Sequence, residues 1–257
     1  MYFYDELNNS PAIMKKDNKN ESSNFKLPRR QFIQSVSLLT AGMLLPNKLF
    51  SSGSRGADKL GTLLPQRRLG KTDLMLTNWG LGGAHLNRLG TFEEKEESVE
   101  LSIEKGLRFF DTAYGYGNGE SEELYGKYLS PKYREQVYIM SKTNARDAKN
   151  AREQLEGGLR RMKTDYLDLY MIHSITSVED VDNRLKNGVL DELRKMKDEG
   201  KIKHIGFTGH RDYKAHLYLL SKGYDDLEAT MMPINVADPS YESFIVNVIP
   251  ELLKQDI

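Results

Sequence analysis

The chain is 257 residues long, contains no cysteine, and carries 37 basic and 37 acidic side chains, so its formal net charge is zero. The lack of thiols excludes disulfide frameworks, zinc–thiolate and iron–sulfur sites and a cysteine nucleophile. The balanced charge excludes a protein that coats nucleic acid through a basic surplus, and 39% apolar residues suffice for one large core or two small ones.

The first sixty residues read as an address rather than a fold. The opening MYFYDELNNSPAIMKKDNKNESSNFKLP is polar, rich in Asn, Lys and Ser, and without sustained periodicity. Then comes RRQFIQSVSLLTAGMLLP, with Arg29 and Arg30 paired, Phe32 two places on, and a mildly apolar stretch from Ser35 to Leu45. A bilayer span takes about 20 apolar residues, so no stable membrane span is expected here. Paired arginines before a short apolar run resemble a twin-arginine export signal, although Pro28 and Gln34 depart from the usual residues and no A-x-A site follows. The expectation is a signal-bearing segment over 1–60 and a periplasmic or exported destination, with the twin-arginine translocase as a transient partner. An amphipathic N-terminal helix on a cytoplasmic protein is the alternative.

From about Arg67 the texture changes. RRLGKTDLMLTNWGLGG reads as a short hairpin feeding a first strand that ends at Gly82 and Gly83. Thr91 and Glu94 have capping-box spacing, Val99 and Ile103 share a helical face, and Gly106 stops that helix. LRFFD is a strand, and Ser121 with Glu122 and Glu123 starts a helix where acids suit the positive end of the dipole. QVYIMSK is a strand; Ala151, Leu155, Leu159 and Met162 trace a helix face; DYLDLYMIH is a strand. Val189, Leu193 and Met196 mark a helix closed by Gly200, IKHIGFT is a strand, and EATMMPIN with YESFIVNVIPELLKQ is a final strand–helix pair. Trp79 and the methionines read as core. His85, His204, His210 and His216 lack the spacing of a metal site, with His85 a candidate for the edge of a cleft, and no metal is expected.

Strands alternating with helices imply a parallel sheet. Asp111, Lys142, His173 and Thr208 each sit where an apolar strand ends, at nearly even spacing of one βα unit. That regularity is the signature of a (β/α)8 barrel, whose functional groups gather at the C-terminal ends of the strands. GLGGAHL matches the dinucleotide fingerprint of an open sheet poorly. Tyr116 follows Asp111 closely enough to hang over the same rim. Lys142 beside it favours the phenolate, Asp111 can hold Lys142, and His173 can donate to a substrate oxygen. The four together form a proton-transfer device aimed at one oxygen atom.

On these residues the chain resembles an aldo–keto reductase. DTAYGYGNGESEELYGKYL, YIMSKT, RRMKTDYLDLYMIHS and GKIKHIGFTG are similar to that family's segments, in order, and the likeness runs from about Arg67 to the C-terminus. The resemblance implies hydride transfer from NADP(H), with NAD(H) the alternative, to an aldehyde or ketone, with Tyr116 as general acid. It implies catalytic roles for Asp111, Tyr116, Lys142 and His173, and cofactor contacts from Gly82, Gly83, Asp111 and Thr208. Members usually place amides where this chain has Gly209 and Met231, and a branch built around GFTGH and MPINVADP is the better likeness. Strands end before Gly83, Asp111, Lys142, His173, Thr208 and Asn235, so the barrel over 61–257 is expected to hold about six of its eight βα units. The expected function is carbonyl reduction. The alternatives are a non-catalytic binding or regulatory barrel, an inactive reductase fragment, or hydrolysis through Asp111 and His173, which lacks an evident nucleophile.

Overall fold

The computed structural model describes residues 56–257, so the export-signal reading at Arg29 and Arg30 lies outside the described residues. Two small antiparallel hairpins come first: β1 (Ala57–Asp58) with β2 (Gly61–Thr62), and β3 (Gln66–Arg68) with β4 (Met75–Thr77). Six parallel strands follow: β5 (Gly80–Gly82), β6 (Phe109–Asp111), β7 (Tyr138–Thr143), β8 (Leu167–Ile172), β9 (Ile202–Thr208) and β10 (Leu227–Met231). Their order in the sheet is their order in the chain, each paired in parallel with the next. Helices make every crossover: α1 (Gly83–Leu86) and α2 (Phe92–Glu104), α3 (Glu120–Tyr128) and α4 (Ser130–Tyr133), α5 (Ala148–Met162), α6 (Val178–Lys186) and α7 (Val189–Asp198), and α8 (Tyr213–Leu220). After β10 come α9 (Phe244–Asn247) and α10 (Ile249–Gln255). This is the α/β fold of (β/α)8 TIM-barrel type expected from the sequence, with six parallel strands among the described residues.

Local chemistry accounts for the helix limits. Thr91 and Glu94 form the capping box of α2, Val99 and Ile103 face inward, and Gly106 ends the segment at φ 86°. Asp147 caps α5 by accepting from the Asn150 amide, and its buried face includes Ala151, Leu155, Leu159 and Met162. The core has two layers. Strand residues such as Ile139, Tyr170 and Ile172 pack outward on the helices, whereas Met140, Leu169 and Met171 point into the barrel. There they meet Leu74 and Leu76 of the second hairpin. Asp73 of that hairpin bonds His204 near the start of β9 at 2.8 Å, so the hairpin closes the end opposite the functional rim.

Several sequence expectations are corrected. Trp79 is 72% exposed, not core; it precedes β5, an edge strand with a neighbour on one side only. Met140, Met162, Met171 and Met196 are buried as expected, whereas Met75 and Met231 are exposed. Helices α6 and α8 were not anticipated. Glu122 lies in the first turn of α3, as expected. It is 1% exposed and turned inward onto Arg161 and Ser141. None of the described helices is long and apolar enough to cross a membrane.

Candidate active site

Main-chain pairing runs past the strand ends and fixes the rim. The Thr112 amide donates to Met140 O (2.8 Å), Tyr114 to Lys142 O (3.2 Å), His173 to Thr143 O (2.8 Å) and Ile175 to Thr208 O (2.7 Å). Asp111, Lys142, His173 and Thr208 are therefore presented from four neighbouring strands at one end of the sheet, as their spacing implied.

Lys142 is the centre of the cluster. It is 1% exposed, forms an ion pair with Asp111, and donates to Thr112 O at 2.8 Å and to the Tyr116 hydroxyl at 3.2 Å. An ammonium has three hydrogens, and these three acceptors use them all. Because the Tyr116 oxygen accepts from Lys142, its own proton is left to point elsewhere. The Tyr116 and His173 rings meet edge to face, with centroids 5.6 Å apart. Burial raises the Asp111 carboxyl above the usual range, opposed by Lys142. Burial first, and then the Lys142 charge, hold His173 down to about 3. At neutral pH it is an uncharged imidazole with one N–H to offer.

Tyr116, Lys142 and His173 line a cavity of about 550 Å³ with Ser174, Thr208, Gly209, His210, Met231, Met232 and Pro233. Its walls are polar toward the tyrosine and apolar at the end of β10. Gly117, Asn118 and Gly119 all have positive φ (67°, 52° and 102°), which folds the chain sharply back behind Tyr116. Of the cofactor residues named from the resemblance, Thr208 lines the cavity, and its hydroxyl accepts from the Ser174 amide at 2.9 Å. Asp111 lies behind Lys142 and is not among the lining residues. Gly83 is explained by packing: a Cβ there would strike Ser121 Oγ and approach Asp111 O. Gly82 is exposed, with nothing within 4 Å of where its Cβ would stand.

His85 is exposed and does not line the cavity. A Cβ on Gly209 would come within 2.6 Å of His216 Cε1, so the buried His216 ring fills the space behind that glycine. No group of His, Asp and Glu among the described residues could hold a metal ion. Sequence reasoning missed Ser174 and His210 as lining residues. Adjacency to His173 and Gly209 was the available signal. A cavity of about 670 Å³ at the opposite end is lined by Arg108, Arg134, Asp168 and Lys203. Arg108 is paired with Asp58, while Arg134 and Lys203 share Asp168, so each of these cations already has a carboxylate partner within the fold.

Comparison with known proteins identifies the family. The sequence model of the aldo/keto reductase family matches residues 78–246. Aldo-keto reductase YhdN of Bacillus subtilis is 29% identical over 182 residues, covering 66% of this chain and 50% of that protein. L-galactose dehydrogenase of Arabidopsis thaliana is 30% identical over 159 residues, covering 58% and 49%. The chain thus spans about half the length of these curated relatives. The solved structure of the thermostable aldo-keto reductase Tm1743, in complex with the inhibitor epalrestat, superposes with TM-score 0.62 at 26% identity, covering 74% of this chain and 69% of that one. An aldo-keto reductase of Klebsiella pneumoniae, solved with NADPH, has the same fold at TM-score 0.62 and 21% identity, covering 75% and 65%. The segment from β5 to α9 that builds the rim is the segment that the family shares, and the chain belongs to the aldo/keto reductase family.

Proposed function

We propose that this chain carries the active-site rim of an NADP(H)-dependent oxidoreductase that reduces an aldehyde or ketone to an alcohol, with Tyr116 as the proton donor. The observation that carries the reading is the exhausted donor set of Lys142, which leaves the Tyr116 proton free for a ligand beside the cavity. Tyr116 gives that proton to the carbonyl oxygen, and the Lys142 charge stabilises the phenolate left behind. Asp111 holds Lys142 in place, and neutral His173 donates a hydrogen bond to the same oxygen. When bound, the nicotinamide supplies the hydride for the carbonyl carbon. The cavity fits that end of the cofactor: Ser174 and Thr208 offer polar groups, and Met231, Met232 and Pro233 offer an apolar wall. NAD(H) is the alternative cofactor. Titration of the full chain with NADPH tests the proposal. Quenching of protein fluorescence with a melting temperature that rises with cofactor supports it; no change in either counts against it.

Export belongs to the same proposal, resting on Arg29 and Arg30 before the apolar Ser35–Leu45 stretch. Replacing both arginines with lysine is expected to leave the protein in the cytoplasm. Equal periplasmic yield from both versions rules out the twin-arginine route.

A further inference from the structure

We propose that Arg161, clamped by Glu122, is the positioning residue that holds Tyr116 against Lys142. The proposal rests on the reading of Tyr116 as the functional tyrosine. Arg161 lies on α5, outside the rim, yet its guanidinium sits under the loop that carries Tyr116. Its Cζ is 5.4 Å from the Tyr114 ring centroid, and a Cβ on Gly119 would come within 2.5 Å of its Nε. The loop thus rests on Arg161 at two points, one on either side of Tyr116.

The other end of the clamp reaches Lys142. Arg161 donates to Glu122 Oε2 from Nε (2.9 Å) and Nη2 (2.7 Å). The second carboxylate oxygen, Oε1, accepts from Ser141 Oγ at 2.6 Å. Ser141 is the residue before Lys142 on β7, and both are buried. Lys142 returns to the loop twice, through its carbonyl to the Tyr114 amide and through its ammonium to the Tyr116 hydroxyl. A closed ring of contacts results: Arg161, Glu122, Ser141, Lys142, Tyr116, and back through the loop to Arg161.

The helices leave room for this ring. A Cβ on Gly158 of α5 would come within 2.9 Å of Glu122 Oε1, and one on Gly157 within 3.0 Å of Arg161 Nη1. A Cβ on Gly126 of α3 would strike the Arg161 carbonyl, so α3 and α5 cross in close contact at the clamp. A planar guanidinium suits the site because two donors converging on one carboxylate oxygen fix direction as well as distance.

The test reads the position of Tyr116 directly. The full chain is labelled with fluorotyrosine, and the Tyr116 fluorine resonance is assigned by its loss in Tyr116→Phe. In Arg161→Met and in Arg161→Lys, that resonance is expected to move or broaden while the distant Tyr218 and Tyr224 signals stay put. Glu122→Ala should do the same, and Glu122→Gln, which keeps an acceptor for the fork, should restore the wild-type position. Where turnover is measured, the Arg161 variants should lose about 10²-fold in kcat with little change in KM, as expected for a misplaced reacting group. An unmoved Tyr116 resonance in a well-dispersed spectrum of either Arg161 variant overturns the proposal. The resonance needs no catalysis, so this arm stands even if Tyr116→Phe keeps full activity and the proton-donor reading fails.

Discussion

Tyr116→Phe is expected to cut aldehyde turnover by about two to four orders of magnitude, the usual worth of a positioned general acid, while NADPH affinity is nearly unchanged. The substitution removes one oxygen and its proton and keeps the ring that meets His173 edge to face. Lys142 loses one of three acceptors but keeps Asp111 and Thr112 O, so the buried ammonium remains compensated. A fold defect is therefore not the expected cause of the loss. His173 cannot substitute as a strong acid, because burial and the Lys142 charge leave it neutral at working pH. Steady-state rates with several aldehydes check this result. Equal rates for Tyr116→Phe and wild type would remove the tyrosine from the mechanism.

A loss of roughly 3 kcal/mol of stability, from about 2.5 pKa units of depression, is expected from His216 alone as pH falls from 6.5 to about 4. The ring is fully buried on α8 between Phe207 and Phe244, with centroids 5.3 and 5.1 Å away, and neither nitrogen has a well-aligned hydrogen-bond partner. Burial drives its pKa down to about 4, with the backbone groups of Asp212 and Met231 opposing. Between those two pH values the unfolded chain binds a proton that the folded chain excludes. Stability is therefore fully present above pH 6.5 and drains away toward pH 4. His173 acts in the same direction down to about 3, whereas the raised carboxyls of Asp111 and Glu122 act against it. The clean measurement is a difference. In denaturant melts across this range, the stability of wild type minus that of His216→Phe should fall by about 3 kcal/mol as pH falls, because Phe cannot take up the proton. Parallel pH profiles would show that His216 carries no such linkage.

The parts legible in the sequence were those where strand chemistry and site chemistry coincide. LDLYMI in β8 is buried at every position, as a parallel strand covered on both faces must be, so its end at His173 could be found by eye. β7 and β9 are buried over most of their length up to Lys142 and Thr208, and the short β6 buries Phe110 before Asp111. Helix α6 escaped because its inward face is Asp180, Val181 and Arg184; two charges there pair with each other, and no apolar period announces them. Helix α8 escaped because it spans only eight residues and buries a histidine in its middle. The inward turn of Glu122 was hidden for a related reason. Acids at a helix start usually face water, and the partner that draws this one inward, Arg161, comes from another helix. Trp79 failed in the opposite sense, since its exposure follows from its place beside an edge strand, which composition does not reveal. Gly83 also serves packing against Ser121, which the sequence did not reveal, because it does not tell which atom a missing Cβ makes way for.

The most direct test follows one hydrogen. The full chain is incubated with NADPH deuterated at the transferable position of C4 and an aromatic aldehyde, and the alcohol is analysed by mass spectrometry. Wild type should yield alcohol carrying one deuterium on the former carbonyl carbon, and Tyr116→Phe should yield almost none in the same time. Alcohol without deuterium, no alcohol from wild type, or equal labelled product from both proteins would contradict the assignment of this rim to carbonyl reduction through Tyr116.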